Sequence, residues 1–137
     1  MLKKGLIATL LVATSLPAWS LDIKSGHWEM TRVMQGNLPP ELTQELAYEE
    51  CMTQSEIDDL EGTFRESMTD GGFHNLVFSH GENTLNVTAV NTTSTPNISM
   101  DVTMTRYSDE HFKTITEATS QEPFTIIQEG HWVREGC

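Results

Sequence analysis

Ile98-Ser99-Met100-Asp101-Val102-Thr103-Met104-Thr105 alternates without a break. Apolar side chains take the even positions and polar ones the odd. A strand sends successive side chains to opposite faces, so this segment reads as a strand with one face in a core and one in water. The same grammar extends in both directions. After a turn at Ser108-Asp109-Glu110, residues 112–119 return with threonine at 114, 116 and 119. Gln121-Glu122-Pro123 turns again, and Phe124-Thr125-Ile126-Ile127-Gln128 opens a last strand that runs toward Cys137. Upstream, a polar loop containing Pro96 separates the decisive segment from residues 85–90, which also alternate. His80-Gly81-Glu82-Asn83 joins those to a short strand at 73–78. Links this short allow antiparallel pairing only, because parallel neighbours need long crossovers.

Ahead of this meander lies the best helix of the chain, predicted over 54–68. Thr53 is its N-cap, and Glu56 completes a capping box. Ile57, Leu60, Phe64 and Met68 follow at helical spacing, with acids early and Asp70-Gly71-Gly72 as the stop. Residues 42–52 fit a strand or a helix equally well. Gly36-Asn37-Leu38-Pro39-Pro40 is a loop. Residues 26–34 alternate and form the first strand. The expected class is therefore α+β: a curved antiparallel meander of about seven strands packed on one α-helix. Gly26-His27-Trp28 near the start is echoed by Gly130-His131-Trp132 near the end. With tryptophan inward and histidine outward in each, a sheet that curls until its first and last strands meet would place both tryptophans in one core.

Residues 1–20, MLKKGLIATLLVATSLPAWS, have the form of a signal peptide. Lys3 and Lys4 make a basic start, residues 6–16 an apolar stretch, and Ala18-Trp19-Ser20 a small-residue cleavage site. The apolar run is short for a bilayer, which needs roughly 20 residues. Cleavage after Ser20 leaves 21–137 as a single exported domain. That domain carries six basic residues against all 20 acids. Such a balance excludes a phosphate-tracking surface, so nucleic acid is not an expected partner. It also disfavours anionic lipid.

Motifs that carry chemistry are missing. There is no GxSxG elbow, SxxK pair, glycine-rich phosphate loop, HExxH or paired CxxC. His74 and His80 share strand parity, yet six residues of strand separate them by about 20 Å. His27 and His131 approach each other if the two Gly-His-Trp segments pair, but two imidazoles are too few for a closed zinc site. Met30, Met34, Met100 and Met104 fall on apolar strand faces, where core filling is the usual role. No catalytic, cofactor-binding or metal-ligating residue is assigned, and no cofactor is expected.

Cys51 and Cys137 are the two cysteines. An exported chain meets an oxidising compartment, and an even count with none left over favours a disulfide between them. Free thiols, a reactive pair and a thiolate metal site are the competing readings. CxxC spacing is absent, and further ligands cannot be assigned.

Several short motifs together resemble the small exported bacterial proteins grouped as domain of unknown function 3617. They are Gly26-His27-Trp28-Glu29 just after the leader, Leu38-Pro39-Pro40-Glu41, Cys51-Met52-Thr53-Gln54-Ser55-Glu56, the Thr/Met-rich strand at 99–105, and the terminal Gly136-Cys137. The resemblance implies a periplasmic or secreted address and a small antiparallel fold, and it implies no activity. The expected function is a non-enzymatic envelope protein that binds a small apolar ligand or another envelope protein. The alternative is a hydrolase or metal-dependent enzyme whose site assembles from dispersed histidines and acids. Two histidines within ligand reach of each other and of a carboxylate in a pocket would favour the second.

Overall fold

The computed structural model describes residues 21–137, so the predicted leader lies outside the described residues. Seven strands form one antiparallel sheet: β1 (Gly26–Gly36), β2 (Leu46–Met52), β3 (His74–His80), β4 (Thr84–Asn91), β5 (Ile98–Ser108), β6 (His111–Thr119) and β7 (Phe124–Arg134). The undecided segment at 42–52 is a short 3-10 turn, Pro40–Leu42, followed by edge strand β2. Two short helices, α1 (Gln54–Asp58) and α2 (Leu60–Asp70), stand where one helix was expected. The protein is therefore mostly β, and the α+β reading gave the helical part too much weight.

The helix breaks at Asp59, whose φ of −134° and ψ of 66° leave the helical region. Its carboxylate accepts from the Gly62 amide at 3.0 Å and so caps α2. A short acidic side chain offers the backbone this local bond as an alternative to helix continuation. Thr53 caps α1 as expected, accepting from the Glu56 amide at 3.3 Å. The reciprocal half of the capping box differs: Glu56 Oε1 accepts from the Thr53 hydroxyl at 3.0 Å. Despite the break, Ile57, Leu60 and Met68 are buried as their spacing predicted.

Strand order is β2-β1-β7-β6-β5-β4-β3. The expected meander exists from β3 to β7, but β1 inserts between β7 and β2. First and last strands meet by lateral pairing inside an open sheet, not by the sheet curling round. The two edges are β2 and β3, and they are consecutive in sequence, so α1 and α2 must carry the chain from one edge to the other. Six inter-strand steps span roughly 29 Å. Seventeen residues of helical rise cover about 25 Å. The connection can barely reach, so it has to lie across one face of the sheet, and the buried residues agree. Ile57 and Leu60 share a cluster with Leu21, Ile23, Trp28, Met30, Leu85, Met104 and Phe112. Met68 joins Val87, Ala89 and Val102 further along. Phe64 packs against both clusters.

The β1–β7 joint is where the Gly-His-Trp echo is resolved. Trp28 lies opposite Trp132, and Met30 opposite Gly130. Trp28 has no exposed surface, and Trp132 packs against the same cluster. His27 and His131 point to the other face. Gly130 is required by close approach: a Cβ there would stand 2.7 Å from the Phe112 ring and 2.8 Å from Met30 Sδ. Gly26 has φ +131°, and a Cβ there would run into the Arg134 carbonyl oxygen. Leu21 and Ile23, just past the predicted cleavage point, are only 2% and 5% exposed. They are held by Lys24 N donating to Asp109 O and by Arg106 Nε donating to Asp22 O.

Cys51 in β2 is bonded to Cys137, with α-carbons 5.6 Å apart across 86 residues of sequence. The bond pins the chain terminus beyond β7 to edge strand β2, on the far side of β1. A loop of this length restricts the unfolded chain strongly. Reduction, or Cys137→Ser, is expected to cost about 2–4 kcal/mol of stability. Chemical denaturation of the oxidised and reduced protein checks this, and equal midpoints would show that the crosslink carries no load.

Candidate functional site

A cleft of about 250 Å³ opens where the helical crossover leaves the β6–β7 region and edge strand β2 partly uncovered. Its walls are apolar: Leu60 and Phe64 come from α2, Met104 from β5, Phe112 from β6 and Met52 from β2. Polar groups sit among them, with Glu50 on β2, Glu56 on α1, Thr114 on β6 and Gln128 on β7. With Thr63 and Ser67 of α2 the lining is mixed, large hydrophobes forming the walls and polar groups placed where they could orient a small molecule. A concavity of about 290 Å³ near Asn75, Thr88, Asp101 and Glu117 has no aromatic wall.

The register explains why these side chains converge. Trp28 pairs with Glu50 and Met30 with Tyr48, so alternate residues of β2 face the helices. On the other side Phe112 pairs with Gly130 and Thr114 with Gln128. Gln128 Nε2 donates to the Tyr48 hydroxyl at 2.9 Å, bracing β7 and β2 across the intervening strand. Glu50 keeps an outer edge in water, yet protein crowds its carboxyl on the cleft side. This partial loss of solvent, and secondarily the nearby charge of Glu56, holds its pKa above the ordinary carboxylate value. A carboxyl with raised affinity for a proton at the mouth of an apolar cleft is prepared to meet a hydrogen-bond donor or a cation. Sequence reasoning missed Glu50. Its only signal was an acid in phase with Tyr48 and Met52 on a strand whose existence was undecided.

The histidines fall only partly as expected. His27 pairs with Cys51 and Arg134, and the β1 partner of His131 is Glu29. His74 and His80 stay apart: His74 lies 3.4 Å from the Thr92 hydroxyl, and His80 lies 3.9 Å from Glu61. His131 instead meets His111, its partner across the β6–β7 ladder. Their rings stack with centroids 4.3 Å apart and planes 19° from parallel. Glu129, two residues along β7, stands 3.3 Å from His111 Nε2 and 3.6 Å from His131 Nε2. Its carboxyl is held below its ordinary range, first by the contact with His111 and then by the charges of Lys113 and the two histidines, against some desolvation. Two histidines and a carboxylate are thus within reach of one another, but on the outer face of the sheet and outside the cleft.

The Glu50 shift has a sign. A carboxyl whose folded pKa is raised above 4.5 destabilises the fold at neutral pH, and that penalty disappears as pH falls below the unfolded value. Glu50→Gln is therefore expected to raise the melting temperature at pH 7 and to leave it nearly unchanged near pH 4. Thermal melts at the two pH values check this. A gain that is equal at both, or larger in acid, contradicts the assignment.

No curated protein and no solved structure matches this chain. A family model does, over residues 23–137, from within the buried N-terminal segment to the last cysteine. With that span covering nearly everything described above, the chain belongs to DUF3617, a family described as protein of unknown function.

Proposed function

We propose that the protein is exported to the periplasm or secreted and works there without catalysis. In this reading it holds a small apolar molecule that carries an amine or similar donor. Glu50 carries the proposal: an acid with raised pKa at the mouth of a cleft walled by Phe64, Met104 and Phe112. An apolar body would gain by burial against those walls. A donor group would gain from Glu50 and Glu56. The excess of acids over bases would draw cationic molecules toward the surface. Export is supported by the leader pattern at 1–20 and by the Cys51–Cys137 bond, which suits an oxidising compartment. Among the described residues no helix is long and apolar enough to cross a membrane. The enzymatic reading has one observation in its favour, the His111–Glu129–His131 group, but that group lies on the outer face of the sheet and outside the cleft.

Two measurements test the proposal. Protein recovered from the envelope of its host is expected to begin at Leu21 and, in native mass spectrometry, to carry a small adduct. Hexylamine, hexanol and hexanoate then serve as probes in an NMR titration. The amine is expected to shift Leu60, Phe64, Met104 and Phe112, the alcohol to do so more weakly, and the acid not at all. A retained leader overturns the export claim. Hexanoate binding as well as hexylamine, or shifts away from the cleft, overturns the ligand class.

A further inference from the structure

We propose that His111, Glu129 and His131 form a binding site for a divalent late first-row transition metal ion on the outer face of the β6–β7 ladder. This inference is independent of the cleft. One ligand atom from each residue already lies within 4.8 Å of the other two. Both imidazoles present Nε2 to the same carboxylate, His111 toward Oε2 and His131 toward Oε1. The β6–β7 register fixes this arrangement, since His111 and His131 are direct cross-strand partners and Glu129 shares their face two residues away. In a tetrahedral complex with metal–ligand bonds near 2.0–2.1 Å, neighbouring donor atoms sit about 3.3 Å apart. The remaining closure is within the range of side-chain rotation and needs no change in the ladder.

His111 supplies a second observation. Its Nε2 is shielded from solvent and has no hydrogen-bond partner, because Glu129 approaches at 3.3 Å but outside hydrogen-bond geometry. Tyr107 also lies against the His111 ring, tilted by 35° with centroids 4.9 Å apart. A polar atom shielded from water and lacking a well-formed hydrogen bond, facing a carboxylate and a second imidazole, is what a cation between the three would satisfy.

The donor set selects the class of metal. Two nitrogens and one oxygen suit zinc, copper or nickel. Calcium and magnesium want shells made of oxygen. Soft thiolate chemistry is closed because both cysteines are in the disulfide. Met30 and Met104 are buried on the opposite face. Lys113, with Nζ 3.8 Å from Glu129 Oε2, is the group a metal would displace. Glu29 is the β1 cross-strand partner of His131 and is the nearest in register to add an oxygen. Three protein ligands leave an outward position for water.

The test uses tag-free protein stripped with a chelator and titrated with zinc chloride alone. One ion per chain is expected, read by calorimetry. In side-chain ¹H–¹⁵N spectra the His111 and His131 resonances should move while those of His27, His74 and His80 stay in place. His131→Ala and Glu129→Gln should each weaken binding about tenfold or more, and His80→Ala should leave it unchanged. Because His111 is half-buried, His111→Ala is not relied on: the wild-type spectra and the near-isosteric Glu129→Gln decide without it. No saturable zinc binding, binding that survives both substitutions, or shifts at the other histidines would overturn the site.

Discussion

Everything else in this molecule depends on the antiparallel pairing of β1 with β7. Without it the chain would be two pieces, a hairpin of β1 and β2 and a meander from β3 to β7, joined by a helical strap. Trp28 sits at the joint with no exposed surface, its ring centroid 4.9 Å from that of Phe112. Its indole nitrogen donates to Lys24 O at 2.9 Å, and that of Trp132 donates to Ser25 O at 3.0 Å. Trp28 therefore buries its ring fully and Trp132 in part, and both satisfy their one donor on the short segment that precedes β1. That segment also places Leu21 and Ile23 in the core. The close packing at Gly130 follows from the same demand, because Met30 and the Phe112 ring occupy the space a side chain would need.

Once β1 and β7 are joined, the two sheet edges are fixed as β2 and β3, and the crossover between them must cover one face. This separates the molecule into two chemistries. The covered face holds the apolar clusters and the cleft with Glu50. The open face holds the polar ladder residues, among them His111, Lys113, Glu129 and His131. The disulfide reinforces the division by tying the end of the chain to the edge strand beside β1. The exposed edges remain poor templates for further pairing: β2 carries Glu49 and Glu50, and β3 is interrupted by an irregularity between His74 and Val77.

The strands were legible wherever alternation coincided with burial, as in β4, β5 and β6, whose inward residues from Leu85 to Ala118 follow the sequence pattern. The disulfide was legible from two cysteines and a leader. Strand order was not, because β1 could meet β7 through a closed curl or through insertion, and local pattern cannot distinguish them. The tryptophan echo identified the right pair of strands by the wrong route. β2 was unreadable because an edge strand buries too little to impose a strict pattern on its sequence. The break at Asp59 was hidden because Ile57, Leu60, Phe64 and Met68 keep one helical phase through it. The histidine pair was within reach of the sequence. A hairpin turning at Gln121 sets residues equidistant from it opposite each other, and His111 and His131 each lie ten residues away. Following the register outward from that turn would have found the pair; comparing the Gly-His-Trp segments pointed to His27 instead.

Native-state hydrogen exchange of the oxidised protein measures the β1–β7 joint directly. The hydrogen-bonded amides of residues 28–31 and 129–132 should be among the slowest in the molecule. They should open only with the free energy of global unfolding, while those of β3 and the outer part of β2 exchange sooner. If the joint amides exchange as fast as the edge strands while β4 to β6 remain protected, the hairpin and the meander are separate units and the joint does not hold the fold together.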